Sequence, residues 1–142
     1  MSKSNTFEND MVALIFNGTA IANLADNAAS SPLTNLYVSF HTADPGEGGN
    51  QETNECAYTD YARVAVPRTS GGWTITDNSV SPANNIDFPE ASGGNEIATH
   101  FAVGTAASGA GKILYSGSLL PTIGISAGVI PRLGTDTTIT ED

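Results

Sequence analysis

The feature that most constrains the fold is a succession of short β-prone runs, which Gly, Pro and Asn interrupt from Leu36 onward. Runs of this length between turn formers are typical of strands. The runs cover residues 36–41, 61–66, 72–76, 85–88, 98–105, 112–120, 122–126, 128–133 and 137–140. The run at 85–88 ends at Pro89, which favours an edge position. Many short strands with regular turn signals predict a mainly β fold, an antiparallel β-sandwich or barrel-like domain.

One helix is predicted before the strands, over residues 5–25. Asn5 followed by Glu8 has the spacing of a helix N-cap and its return partner. Gly18 weakens the middle of this segment, so two shorter helices are a second interpretation.

The predicted helix has apolar residues on two sides. One stripe at helical spacing contains Phe7, Met11, Leu14, Gly18, Ile21, Ala22 and Ala25. Val12 and Phe16 point to roughly the opposite side. Either the helix is buried all round, or Val12 and Phe16 form a second apolar face that meets a neighbouring subunit.

Chain length and charge limit the class of protein. At 142 residues we expect a single domain, 1–142, with the helix at 5–25 and a β domain at 33–142. The net charge is −10, and the few basic residues are scattered along the chain: Lys3, Arg63, Arg68, Lys112 and Arg132. Such a surface repels phosphate, so neither nucleic acid nor a membrane is an expected partner. Cys56 is the only cysteine, so no intramolecular disulfide forms.

A long polar loop separates the first two predicted strands. It opens with the turn signal Asp44-Pro45-Gly46, and the following stretch EGGNQETNE is expected to be flexible. Loops this long inside compact domains usually have a function. Its carboxylates lack the order of a calcium-binding loop, so we interpret it as solvated. The candidate interface residues in this loop are Asp44, Pro45, Glu47, Asn50, Gln51 and Glu52.

Residue patterns that suggest catalysis lack their required context. Residues 124–128 match G-x-S-x-G, but no histidine follows and Pro131 resists the helix that a nucleophile elbow needs. His41 and His100 have no Cys or His partner at metal-ligand spacing. We therefore expect no enzymatic activity, no cofactor and no metal.

Several segments together resemble a family of small virion proteins of tailed bacteriophages. They are LYVSFHTADPGEGGNQ, YTDYARVAVPR, GGWT, IDFPEASGG, ATHFAVGTAASGAGKILYSGSL and the ending GTDTTITED. The resemblance covers roughly residues 33–142. Members of this family are labelled either as tail fibre proteins or as head decoration proteins.

The resemblance implies a structural role in the virion. Because the chain has no repeats, our leading hypothesis is a capsid decoration, or cement, protein that is made in the bacterial cytoplasm and binds the capsid exterior. Its partners would be the major capsid protein and copies of itself, for which a homotrimer is one arrangement. Arg63 and Arg68 would pair with acids of a partner or of the loop.

The alternative is a tail fibre or tail-tip protein that contacts the host surface. In that case, aromatic residues of the chain would form a platform on which sugars stack. The aromatic residues considered for it are Tyr58, Tyr61, Trp73 and Tyr115.

Overall fold

The computed structural model describes residues 3–21 and 33–141, and these form two compact units. The first unit contains residues 3–21, 33–35, 66–85 and 134–141, and the second contains 36–65 and 86–133. The predicted division, a helix followed by a β domain, does not coincide with these units, because the first unit combines the helix with two later segments. The expectation of a single domain stays a prediction.

The described residues contain one helix and nine strands, and the pairs β1–β6, β3–β4, β4–β9, β5–β8 and β6–β7 are antiparallel. The elements are α1 (Asn5–Asn17), β1 (Asn35–His41), β2 (Val64–Pro67), β3 (Trp73–Thr76), β4 (Ser79–Pro82), β5 (Ile86–Asp87), β6 (Asn95–Gly104), β7 (Ile113–Ser126), β8 (Arg132–Leu133) and β9 (Ile139–Thr140). The predicted fold class, mainly β with antiparallel sheets and one N-terminal helix, is confirmed.

Helix α1 is shorter than predicted and begins with a different cap. Ser4, not Asn5, is the N-cap residue, and its hydroxyl accepts a hydrogen bond from the Phe7 backbone N–H. Gly18 ends the helix in the left-handed conformation at φ 65°, which glycine adopts without strain. The predicted extension to residue 25 is therefore wrong for residues 18–21, and residues 22–25 lie outside the described part of the chain.

The buried face of α1 is the one opposite to the predicted stripe. Val12 and Phe16 are fully buried, whereas Phe7, Met11 and Leu14 are half-buried. Phe16 packs edge-on against the ring of Trp73, with the ring centres 4.7 Å apart. The burial of Val12 and Phe16 within the first unit corrects their interpretation as an exposed face for a neighbouring subunit.

Strands β3, β4 and β9 form the sheet of the first unit, in that order. Strands β3 and β4 form a tight hairpin in which Thr76 pairs with Ser79. Asp77 in the turn has φ 54°, a conformation that Asp tolerates better than most residues. Strand β4 was not predicted, because Ser79 to Pro82 lacks the run of β-branched and aromatic residues that marks a strand.

The second unit contains β6, β7 and nearly all of β1, which are neighbours in the order β1-β6-β7 of the larger sheet. Its core contains buried apolar residues from β1 and β6, and Phe40 stacks on Phe88 with ring centres 4.0 Å apart. Two separately predicted runs, 112–120 and 122–126, form the single strand β7. The two runs meet at a bulge, where four residues of β7, 119–122, lie opposite the single residue Thr99 of β6. Strand β5 pairs with β8 in a two-stranded sheet. It therefore lies at the edge of a sheet, as predicted for residues 85–88.

Candidate functional site

The opening loop, residues 42–63 of the second unit, is fastened to the sheet rather than flexible. The Thr42 backbone N–H donates to the Asn54 carbonyl at 2.8 Å, and the Cys56 N–H donates to the Phe40 carbonyl at the same distance. His41 and Glu55 also form an isolated β-bridge. These bonds close residues 42–54, the first part of the loop, into a compact segment whose ends are close together.

The turn predicted at Asp44-Pro45-Gly46 is present. A carboxylate oxygen of Asp44 accepts from the Gly46 N–H at 2.8 Å, and the Asn54 side chain donates to the Asp44 carbonyl at 3.1 Å. Pro45 is buried, which corrects its interpretation as an exposed interface residue. Gly49 lies against the backbone of Pro45, and a Cβ at position 49 would be only 2.1 Å from the Pro45 carbonyl oxygen.

Gln51 is fully buried and joins the loop to the sheet, so its interpretation as an exposed interface residue is also corrected. Its side chain donates to the Tyr37 carbonyl at 3.3 Å and accepts from the Ala106 N–H at 3.0 Å. Gly104 and Gly111 leave the space for this side chain, because a Cβ at either position would lie within 2.2 Å of it. Glycine at positions 104 and 111 is the sequence feature that permits the burial of Gln51. Both glycines lie far from Gln51 along the chain, so the sequence alone did not connect them with it.

Arg63 connects the end of the opening loop to the loop between β6 and β7. Two guanidinium nitrogens donate to the Glu55 carboxylate at 2.7 Å each. The guanidinium also donates to the Ala106 and Gly109 carbonyls at 2.9 and 2.8 Å. The side chains of Arg63 and Glu55 are only 3% and 14% exposed, so this is a buried ion pair rather than a surface one.

The charges of this pair affect neighbouring titratable groups. The hydrogen bond to Glu55 raises the pKa of Arg63. Burial, followed by the charge of Glu55, raises the pKa of the Tyr61 hydroxyl, which donates to Glu55 at 2.8 Å. Tyr61 and Arg63 therefore both keep their protons at physiological pH.

His41 is a buried histidine at the base of the opening loop. Its Nδ1 lies 2.8 Å from the Thr53 carbonyl and therefore carries the proton, and its Nε2 accepts from the Ser39 hydroxyl at 2.9 Å. Burial lowers the pKa of His41, although the Thr53 carbonyl and Glu55 act in the opposite direction. The neutral ring is thus part of the structure that holds the loop. Since Ser39 and His41 are both fully buried, no substrate reaches this pair.

The exposed part of the opening loop is acidic. Asp44, Glu47 and Glu52 are exposed, and Asn50 is half-buried. Asn50 fixes its own turn, because its side-chain oxygen accepts from the Glu52 N–H at 2.9 Å. Asp44, Glu47 and Glu52 therefore remain candidates for contact with a partner. All three lie on a loop that hydrogen bonds hold rigid. Binding residues are often found on such loops.

Arg68 lies in the first unit and binds backbone carbonyls. Its guanidinium donates to the Ile15 and Leu14 carbonyls at 2.7 Å and to the Leu33 carbonyl at 2.8 Å. Two of these carbonyls belong to the last turn of α1, where a helix lacks internal donors and favours positive charge. These contacts with backbone carbonyls differ from the predicted pairing of Arg68 with an acid, and they stabilise the end of the helix.

Two of the four aromatic residues considered as a sugar platform, Trp73 and Tyr58, are buried. Trp73 is 1% exposed in the first unit, and Tyr58 is 3% exposed in the second, where its hydroxyl donates to the Pro89 carbonyl at 2.9 Å. Tyr61 and Tyr115 are half-buried. Packing in the core accounts for Trp73 and Tyr58, which corrects the expectation of a stacking surface made from them.

Among residues 3–21 and 33–141, no three or more His, Cys, Asp or Glu side chains are grouped so that they would hold a metal ion. No helix in the described part of the chain is long and apolar enough to cross a membrane.

Comparison with known proteins identifies the class as a virion structural protein of a tailed bacteriophage. The chain belongs to the family described as podophage GP4 fiber I protein gp80, which matches residues 2–138. No curated protein matches the chain. The family match confirms the resemblance to tailed-phage virion proteins.

Proposed function

We propose that this protein is a component of the phage tail fibre and contacts the surface of the host cell. The observation that carries the proposal is the family match, which extends over residues 2–138 and names a fibre protein. Our leading expectation from the sequence was a capsid decoration protein bound to the major capsid protein. The family name supports the tail alternative instead, and a capsid location stays a prediction.

The construction of the second unit supports a contact role. The opening loop and the loop between β6 and β7 are held by Gln51 and by the Arg63–Glu55 pair. A surface that is rigid before binding loses little conformational entropy when it binds. The exposed groups Asp44, Glu47 and Glu52 then offer hydrogen-bond acceptors to hydroxyl or amino groups of a cell-surface polymer.

Adsorption competition tests the proposal. Purified protein is added to host cells before the phage, and the fraction of unadsorbed phage is counted over time. We expect the protein to slow adsorption in a concentration-dependent way. Glu52→Ala should weaken this competition, whereas the matched variant Glu90→Ala, which removes an exposed acid outside the opening loop, should compete like the wild type. No competition at saturating protein would contradict host contact.

A further inference from the structure

The first unit contains a polar cavity that is separate from the opening loop. It lies between the first turns of α1 and the turn that joins β3 to β4, and α1 packs on both of these strands. Asn5, Glu8 and Asn9 line the cavity from the helix, and Asp77 and Asn78 line it from the turn. Its volume is about 400 Å³. Every described side chain that lines it carries at least one oxygen atom.

The chemistry of this lining indicates a cation rather than an organic ligand. Pockets for small organic molecules are lined mostly by apolar and aromatic side chains, with a few polar groups that fix the orientation. The described lining of this cavity consists of carboxylates and carboxamides. Such oxygen ligands suit hard cations, and calcium in particular is bound by Asp, Glu and Asn oxygens together with water. The cavity has room for these waters, since each occupies about 30 Å³.

Two carboxylates make the cavity negative. Glu8 and Asp77 form none of the ion pairs found among residues 3–21 and 33–141. Lys3, which precedes the helix, is paired with Glu141 at 3.0 Å. The N-terminal end of a helix carries about half a positive charge, which is small beside two carboxylates. The cavity therefore attracts a cation and repels a phosphate or sulfate ion.

The Asn9 carboxamide provides separate evidence for a ligand. Its side-chain oxygen is buried, and no hydrogen bond to this oxygen is found within the described ranges, 3–21 and 33–141. Buried acceptors in proteins nearly always have a partner, because an unsatisfied one costs free energy. Asn9 also lines the cavity. A cation in the cavity supplies the positive partner for this oxygen, after a small rotation of the carboxamide toward it.

The turn between β3 and β4 holds its two lining residues in place. Asp77 has φ 54°, and the Asn78 backbone carbonyl accepts a hydrogen bond from the Glu141 N–H at 2.9 Å. The Asn78 side-chain nitrogen donates to the Glu141 carbonyl at 2.9 Å, which leaves the side-chain oxygen as an acceptor for a further contact. A site whose ligands are fixed before binding loses little conformational entropy when the ion binds.

We propose that this cavity binds a calcium ion. The carboxylates of Glu8 and Asp77 and the side-chain oxygen of Asn9 contact the ion, and Asn5, Asn78 and water complete its coordination. With two acids and three amides, the group is smaller than the clusters of three or more acidic, His or Cys side chains considered above. Our expectation of no metal came from the opening loop and the two histidines, whereas these residues lie on two segments that are far apart in the sequence. The ion connects the start of α1 to the β3–β4 turn and so stabilises the first unit.

Calorimetric titration of the chelator-treated protein with calcium chloride tests the proposal. We expect a dissociation constant of about 0.1–1 mM, the range of extracellular calcium modules. Calcium should also raise the melting temperature, because the folded state binds it and the unfolded chain does not. Asp77→Asn and Glu8→Gln should each raise the dissociation constant by about tenfold or more, since each removes one of the two negative charges.

Asp10→Asn is the matched control and should bind calcium like the wild type. Asp10 is an acid of the same helix, and it does not line the cavity. Both test variants keep the shape of the original side chain, and asparagine tolerates the left-handed conformation of position 77. Circular dichroism spectra that match the wild type exclude unfolding as the cause of any loss of binding.

Three outcomes would overturn the proposal. The first is the absence of binding heat and of any shift in melting temperature at about 10 mM calcium, well above the expected dissociation constant. The second is an equal shift with sodium chloride of the same ionic strength, or equal weakening by Asp10→Asn, which would show general screening of the net charge of −10. The third is binding that neither Asp77→Asn nor Glu8→Gln weakens, which would place the ion elsewhere. These measurements use purified protein without host cells or phage, so their outcome is independent of the proposed fibre function.

Discussion

At the scale of single residues, Gln51 and His41 hold the opening loop from within the second unit. Both side chains are fully buried, and each binds backbone groups of other segments. A buried polar group that loses its partner costs more than an exposed one, since no water replaces the lost bond. The conformation of the exposed loop therefore depends on two residues that are buried beneath it.

Replacement of Gln51 tests this dependence. Gln51→Ala leaves the Ala106 N–H without its acceptor, and we expect the free energy of unfolding to fall by about 1–3 kcal/mol. Urea denaturation measures the change. Glu52→Ala, at the exposed neighbouring position, should change the same quantity by less than about 0.5 kcal/mol. Equal effects of the two variants would contradict a structural role for Gln51.

The burial of His41 predicts a pH dependence of stability. Burial lowers its pKa in the folded state, so the unfolded chain takes up the proton first as the pH falls. The contribution of neutral His41 is fully present above its ordinary pKa of about 6.5 and is lost as the pH falls toward the lower folded value. Denaturation curves between about pH 7.5 and about pH 5.5 should show this loss. His41→Gln should remove it, and His100→Gln should retain it.

At the scale of elements, one arginine in each unit connects segments that are distant in sequence. Arg68 joins the end of α1 to the segment before β1, and Arg63 joins the opening loop to the loop between β6 and β7. Each guanidinium binds several acceptors at once, which its planar set of donors permits. Lysine offers no equivalent geometry.

Loss of Arg63 should destabilise the second unit strongly. Arg63→Ala leaves Glu55 largely buried without its cation, and the expected loss is about 3–5 kcal/mol of unfolding free energy. Arg63→Lys should recover part of the loss because it keeps the charge. Arg132→Ala breaks an exposed pair with Asp87 and serves as the control, with little change expected. An Arg63→Ala protein as stable as Arg132→Ala would contradict the role given to the buried pair.

Phe16 provides the corresponding test for α1. Phe16→Ala removes a fully buried ring that packs on Trp73, and the expected loss is about 3–5 kcal/mol. Thr6→Ala changes an exposed position of the same helix and should have a small effect. Thermal unfolding of the two variants compares them directly. Wild-type stability of Phe16→Ala would restore the interpretation of this residue as an interface group.

At the scale of the whole molecule, the sequence predicted the class of fold better than its internal organisation. The positions of β1, β6 and β7 were predicted from runs rich in β-branched and aromatic residues, because such residues favour a strand without any information from the rest of the fold. The helix end at Gly18 was among the interpretations considered, but the periodic apolar residues beyond it favoured a longer helix. The buried role of Gln51 depends on glycines that approach it only in the fold. A single sequence does not contain that proximity.

The same limit applies to function. The combination of motifs was sufficient to identify a tailed-phage virion protein, and the family match confirms it. The absence of repeats favoured the head, whereas the family match names a fibre protein. The small size, acidic charge and β-rich pattern of this chain do not by themselves distinguish a place on the head from a place on the tail.

The most direct test of the fibre proposal is the location and copy number of this protein on the intact virion. Cryo-imaging with a labelled antibody gives the location, and quantitative mass spectrometry against the major capsid protein gives the copy number. The proposal predicts label at the tail and a few copies per virion. Label over the whole head, with hundreds of copies, would contradict it and would establish the capsid decoration protein that we first expected.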